Sequence, residues 1–156
     1  MDAWIKTVDG EEIPEADHIS RYVPYSKLVS DGTKVSGAAF QLRENEDYLS
    51  VNWLEYFGFN DRILEISEVR KAFVAKGYSL RRTAKFAVLA VGELKLYIEQ
   101  ETNGKTKLQV IHKPIQPEDP SHSGIFGVPA DEPIISDLMA ELVNDDSLFP
   151  AVSSSE

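Results

Sequence analysis

The sequence predicts a single α+β domain, on three observations. Two stretches, 61–76 and 132–143, carry apolar residues at helical spacing. Around them lie short apolar or alternating runs bounded by Pro, Gly, Asn and Asp, which read as strands. No linker-like tract divides the 156 residues, a length that buries a core without disulfides or metals. The expected architecture is a mixed or antiparallel sheet packed with two main helices. The expected organisation is an acidic arm over 1–16, a globular unit over 17–143 and a polar tail over 144–156.

In chain order, the arm is polar apart from Trp4, Ile5 and Ile13. "HISRYV" (18–23) reads as a strand with His18, Ser20 and Tyr22 on one face, ended by Pro24. Asp31-Gly32 signals a turn. "AAFQLR" (38–43) alternates weakly and predicts a strand. "YLSVNWLEYF" (48–57) suits a strand or the start of a helix, and periodicity does not choose between them. The first helix has Asn60 or Asp61 as N-cap, Ile63, Ile66, Val69 and Phe73 as its stripe, and Gly77 just past its end.

"KFAVLAV" (85–91) reads as a strand buried on both faces. "GELKLYIEQE" (92–101) fits a strand through Leu94, Leu96 and Ile98, or a helix with Lys95 and Glu99 paired at i,i+4. "KLQVIHK" (107–113) predicts a strand with Leu108, Val110 and His112 on one face. "DPSHSGIFG" (119–127) reads as a rigid proline-glycine loop whose His122 turns inward or into a cleft. The last helix is expected to start at an Asp131 cap with Pro133 in its first turn, burying Ile134, Ile135, Leu138, Met139 and Leu142. Leu148-Phe149-Pro150 is a hydrophobic knot that docks on its own domain or on a partner.

Composition narrows the chemistry. With no cysteine, the chain has no disulfide framework, thiolate metal site or cysteine nucleophile, which fits a reducing compartment. The acidic N-terminus lacks the apolar core of a signal peptide, and no run reaches the length of a membrane span, so a cytoplasmic location is expected. A net charge of −10 opposes generic binding to nucleic acid or anionic membrane. Arg70, Lys71, Lys76, Arg81, Arg82 and Lys85 nevertheless form a basic segment without an acidic residue, suited to an anion, an acidic partner or plain solvation.

None of the phosphate-loop, dinucleotide, zinc-protease, serine-elbow or EF-hand signatures occurs. What remains is His18 with Arg21, His112 with Lys113, and His122 between Ser121 and Ser123. Two imidazoles and a guanidinium can cleave a phosphodiester without metal: one takes a proton, one gives one, and the cation holds the developing charge. Each histidine also has a structural reading, as a strand residue or loop latch bonded to backbone. The serines beside His122 are poorly placed as nucleophiles, because chain neighbours rarely serve each other that way. No histidine pair has metal-ligand spacing, so no metal and no cofactor is expected. Trp53, Tyr56, Phe57 and Phe59 supply either core or interface anchors.

The order of "DHISRY", "LSVNWLEYF" and "IHKP…DPSHSGIFG" resembles that in a group of small prokaryotic proteins, over Asp17 to about Val143. That resemblance implies a bacterial cytoplasmic protein and brings no activity, cofactor or functional residue with it. Its blocks point to His18, Arg21, Asn52, Trp53 and His122. Two readings of function follow. The first is a non-enzymatic binding or accessory protein that engages a protein partner or self-associates, through Asn52, Trp53, Arg70, Arg81 and Arg82. The second is a small metal-independent enzyme for RNA or a nucleotide, with His18, Arg21, His112 and His122 in one cleft.

Overall fold

The computed structural model describes residues 10–153. Its strands are β1 (Glu11–Glu12), β2 (His18–Val23), β3 (Leu28–Val29), β4 (Lys34–Val35), β5 (Leu49–Trp53), β6 (Lys85–Ala90), β7 (Gln109–His112), β8 (His122–Phe126) and β9 (Leu148–Pro150). Seven of them form one sheet in the order β1-β7-β8-β5-β2-β6-β9, while β3 and β4 make a separate hairpin. Every pairing between these strands is antiparallel. The helices are α1 (Arg62–Ala75), α2 (Val91–Glu101) and α3 (Pro133–Glu141). The chain is therefore an α+β domain with an antiparallel sheet. Trp4 and Ile5 lie outside the described residues.

Side-chain alternation gives the sheet two apolar faces, and each has its own cover. On one face Ile19, Val23, Leu49, Val51, Leu89 and Ile125 join Leu94 and Ile98 of α2 and Ile135 and Met139 of α3. On the other, Phe86 and Val88 meet Ile66 and Val69 of α1, with Leu54 and Ala151. This second core draws on β6 but takes no residue from β5 or β8. Half of that face thus lacks a helix, and the cleft described below opens there.

α1 starts where the Asp61 carboxylate accepts the Leu64 N–H at 3.2 Å. It ends in a Schellman motif: Tyr78 N–H bonds Phe73 C=O, Gly77 N–H bonds Val74 C=O, and Gly77 takes φ +92°. The Phe73 and Tyr78 rings, 5.7 Å apart, close the motif. Of the expected stripe, Ile63 faces solvent instead, at 63% exposure.

Several expectations need correction. Residues 38–43 do not form a strand; 37–40 make a 3₁₀ turn capped by the Ser36 hydroxyl, burying Ala39 and Phe40. The ambiguous 92–101 segment is helical, because Leu94 and Ile98 bury four residues apart while Leu96 stays exposed. Lys95 pairs there with Glu12 and Glu15, not with Glu99. The aromatic stretch divides: β5 ends at Trp53 and a 3₁₀ turn follows over 54–57. The N-cap of α3 is Glu132, without a side-chain bond, not Asp131, and Ile134 is exposed. "HSGIF" is no loop but strand β8, between β7 and β5. The Leu148 knot docks on its own domain as edge strand β9, where Arg70 Nη2 donates to Pro150 C=O at 2.7 Å.

Candidate functional site

The uncovered half-face is a cleft of about 550 Å³. Its floor is a polar row across three strands: Ser20 of β2 stands opposite Asn52 of β5, which stands opposite His122 of β8. Ser50 lies two residues from Asn52 on the same face and opens to the cleft. The C-terminal turn of α1 contributes Phe73, Lys76 and Tyr78 as one wall, with Tyr22 and Leu80. Lys27, Arg43, Glu46 and Tyr48 form the other, with Arg21.

Beneath the row is a closed polar network. The Asn52 amide donates to Asp119 Oδ1 at 2.7 Å and to Ser121 Oγ at 2.9 Å. Asp119 is fully buried, and Lys76 Nζ donates to its other oxygen at 2.5 Å. The same ammonium lies 4.9 Å from the Phe73 ring centre and 5.6 Å from that of Tyr78. A buried charge needs such a partner, because desolvation alone is costly. Ser20 is the exception: its hydroxyl is buried at the cleft floor with no hydrogen-bond partner.

His122 is held at both nitrogens. Nδ1 lies 2.8 Å from the Lys113 carbonyl, which can only accept, so Nδ1 carries the proton. Nε2 is then a lone pair in the neutral ring, and it meets Ser50 Oγ at 3.3 Å. Burial pushes the His122 pKa below its ordinary 6.5, against the Lys113 bond and the Asp119 charge. The imidazole is neutral at pH 7.

The basic wall holds three cations against one carboxylate, Glu46, whose charge offsets them only in part. Arg21 spends its guanidinium on backbone, donating to Ala39 C=O at 2.6 Å and Ser50 C=O at 2.8 Å. Burial lowers its pKa to about 10, so it stays cationic. Lys27 is lowered as well, first by burial and then by the nearby Arg43 and Arg21 charges, with Glu46 opposing. Among the described residues no carboxylate side chain lies within ion-pair distance of Arg21, Lys27 or Arg43. Three cations thus repel one another at one cleft of a chain whose net charge is −10.

Of the residues singled out from sequence, the cleft gathers Arg21, Asn52, His122 and, from the basic segment, Lys76, while His18, His112, Trp53, Arg70, Arg81 and Arg82 lie outside it. His18 Nδ1 is 2.7 Å from Glu55 Oε2, in a cluster with Arg62 and Glu65 at the start of α1. His112 donates from Nε2 to Pro120 C=O at 2.7 Å and packs against Trp53 and Tyr56. It stands opposite Ser123, so it leaves the other sheet face from His122. A two-histidine acid–base pair is therefore not assembled. Trp53 donates from Nε1 to Asp17 at 2.9 Å and packs on the main core. Arg70 clamps β9, and Arg81 and Arg82 lie exposed beyond α1, outside the cleft.

Sequence reading missed Ser20, Ser50, Asp119, Lys27 and Arg43 as site residues, and named Lys76 only as part of the basic segment. A signal for the first two was present: His18, Ser20 and Tyr22 of "HISRYV" share one strand face, and in "LSVNW" the polar residues alternate with apolar ones. Among the described residues no group of three His, Asp or Glu side chains could hold a metal ion. Among the described residues no helix is long and apolar enough to cross a membrane. No protein-family model matches the chain, and comparison with curated proteins and with solved structures gives no match either.

Proposed function

We propose that the chain recognises a small anionic molecule bearing a planar ring, of the size and chemistry of a mononucleotide, in the cleft beside α1. The observation that carries this is the convergence of Arg21, Lys27 and Arg43 on one wall, three cations that share the single nearby carboxylate of Glu46 and make no ion pair with it. Like charges held together lower one another's affinity for protons, and a bound anion relieves that repulsion. Tyr22, Phe73 and Tyr78 offer apolar rings on the opposite wall, and the cleft volume falls in the range of small-molecule sites. The Ser20 hydroxyl supplies a donor for a ligand oxygen. A chain without cysteine fits work in a reducing bacterial cytoplasm.

Thermal unfolding tests this with adenosine 5′-monophosphate, adenosine and ribose 5-phosphate as probes. A ligand at a hundred times its Kd stabilises by about 2.7 kcal/mol, which at this size raises Tm by roughly 5–10 °C. The monophosphate should give that shift, and either half alone should give less. No shift from the mononucleotide argues against the assignment.

One observation favours a second reading, a protein-binding accessory role. Tyr56, Phe59, Ile63 and Leu64 are exposed large apolar side chains within nine residues, and Phe57 stacks on Phe59 at 6.2 Å. If they anchor a partner or a second copy, Phe59→Ser should abolish co-purification or dimerisation without lowering Tm. Unchanged association would remove this reading.

A further inference from the structure

We propose that Ser50 and His122 form a nucleophile–base pair that hydrolyses carboxylic esters of anionic acids in this cleft. The inference rests on the anion-binding assignment for its substrate class. Its chemistry stands on separate observations.

The first is the tautomer. Lys113 C=O fixes the His122 proton on Nδ1, so Nε2 has a free pair directed at the Ser50 hydroxyl 3.3 Å away. A serine is a weak nucleophile until an adjacent base takes its proton, and that base needs a third group to orient it. Here the orienting group is a backbone carbonyl. The second is access. Ser50 is the exposed member of the floor, while Ser121 and Ser123 are fully buried and already bonded. The serine that serves His122 is thus 72 residues away in sequence, on the neighbouring strand, not next to it. The third is the free Ser20 hydroxyl on the same floor, a donor available to a carbonyl oxygen as it gains charge. Arg21 acts as a positioning residue, holding the Ser50 carbonyl from behind.

The reaction balances without metal, oxidant or other co-reactant. Ser50 Oγ bonds to the ester carbonyl carbon as its proton passes to His122 Nε2, and the carbonyl π pair moves onto oxygen. That intermediate collapses, the C–O bond to the alcohol breaks, and the alkoxide leaves with the proton from Nε2. Water then gives a proton to Nε2 and attacks the acyl carbon. Ser50 departs, recovers that proton, and an acid is released. Arg43 and Lys27 select substrates whose acyl part carries a negative charge, such as a free carboxylate.

The test exposes the full chain to an alkyl fluorophosphonate and reads intact mass, then peptide maps. The expected result is a single adduct on Ser50, absent in Ser50→Ala. In His122→Asn the side-chain amide can still donate to Lys113 C=O but the base is gone, and labelling should slow by about 10²-fold or more. The rate should rise with pH as His122 loses its proton, a profile that a structural role would not give. The groups that bias that titration are Asp119, Lys76 and His112, with the Tyr48 ring packed alongside. Hydrolysis of 4-nitrophenyl hydrogen succinate should exceed that of 4-nitrophenyl acetate, and Arg43→Ser should erase the difference. No adduct at Ser50, or one formed equally fast in His122→Asn, overturns the pair. The mononucleotide shift on the same preparation separately decides whether the cleft binds anions.

Discussion

His122 has one nitrogen on a backbone carbonyl, the other facing a serine, and a ring 6.0 Å from that of Tyr48. Its folded pKa lies below its ordinary value because burial penalises the cation. The sign of the linkage follows. Between the unfolded and folded pKa values the unfolded chain binds more protons, so stability falls as pH drops through that window. Wild type should therefore lose stability from about pH 7 towards pH 5 more steeply than His122→Asn. Urea unfolding of both across that range checks it, and parallel pH profiles would contradict it. At this scale the sequence was half legible. His122 and Arg21 stood out because His is rare here and Arg21 follows His18 by three residues with a guanidinium suited to phosphate oxygens. Ser50 and Asp119 did not, and Lys76 showed only as one of a basic run, since their roles come from pairing across 72 and 43 residues, which no local pattern encodes.

Among the elements, β8 shows how a strand hides within turn-like residues. Gly124 has the Tyr48 ring directly over it, and Tyr48 packs on Phe126 at 4.7 Å. A glycine in a central strand otherwise weakens it, and here the ring fills the gap. Gly124→Ala should push Tyr48 off the sheet, since a Cβ would meet ring atoms. The expected cost is about 1–3 kcal/mol by urea unfolding, with weaker ligand binding because Tyr48 lines the cleft. An unaffected Tm and affinity would show that the ring is not so placed. The same density of Ser, Gly and Pro explains why 119–127 reads as a loop, and weak alternation explains the false strand at 38–43. In contrast, β2 follows its pattern, as do α1 apart from Ile63 and β6 apart from Val91, because their caps and apolar periods are local. The segment 92–101 resolves as a helix only through what covers it, since Leu94 and Ile98 face the core while Leu96 does not.

Across the whole molecule, charge and cover are distributed unevenly in a way that sets up the cleft. An antiparallel sheet has one face covered by α2 and α3, and the other only partly by α1. The α+β class was legible from periodicity, but the uncovered half-face was not, because it depends on where α1 comes to rest. The chain carries 26 acidic residues against 16 basic ones, yet at that opening three cations meet a single carboxylate, Glu46. Such a reversal attracts anions by field as well as by contact, and salt weakens it. The deciding experiment is calorimetric titration of adenosine 5′-monophosphate into wild type and into the double variant Lys27→Ser, Arg43→Ser, at low and high salt. The account predicts saturable binding to wild type that salt weakens, and at least a roughly tenfold loss, about 1.4 kcal/mol, in the double variant. Absence of saturable heat with wild type, or equal affinity in the two proteins, would contradict it.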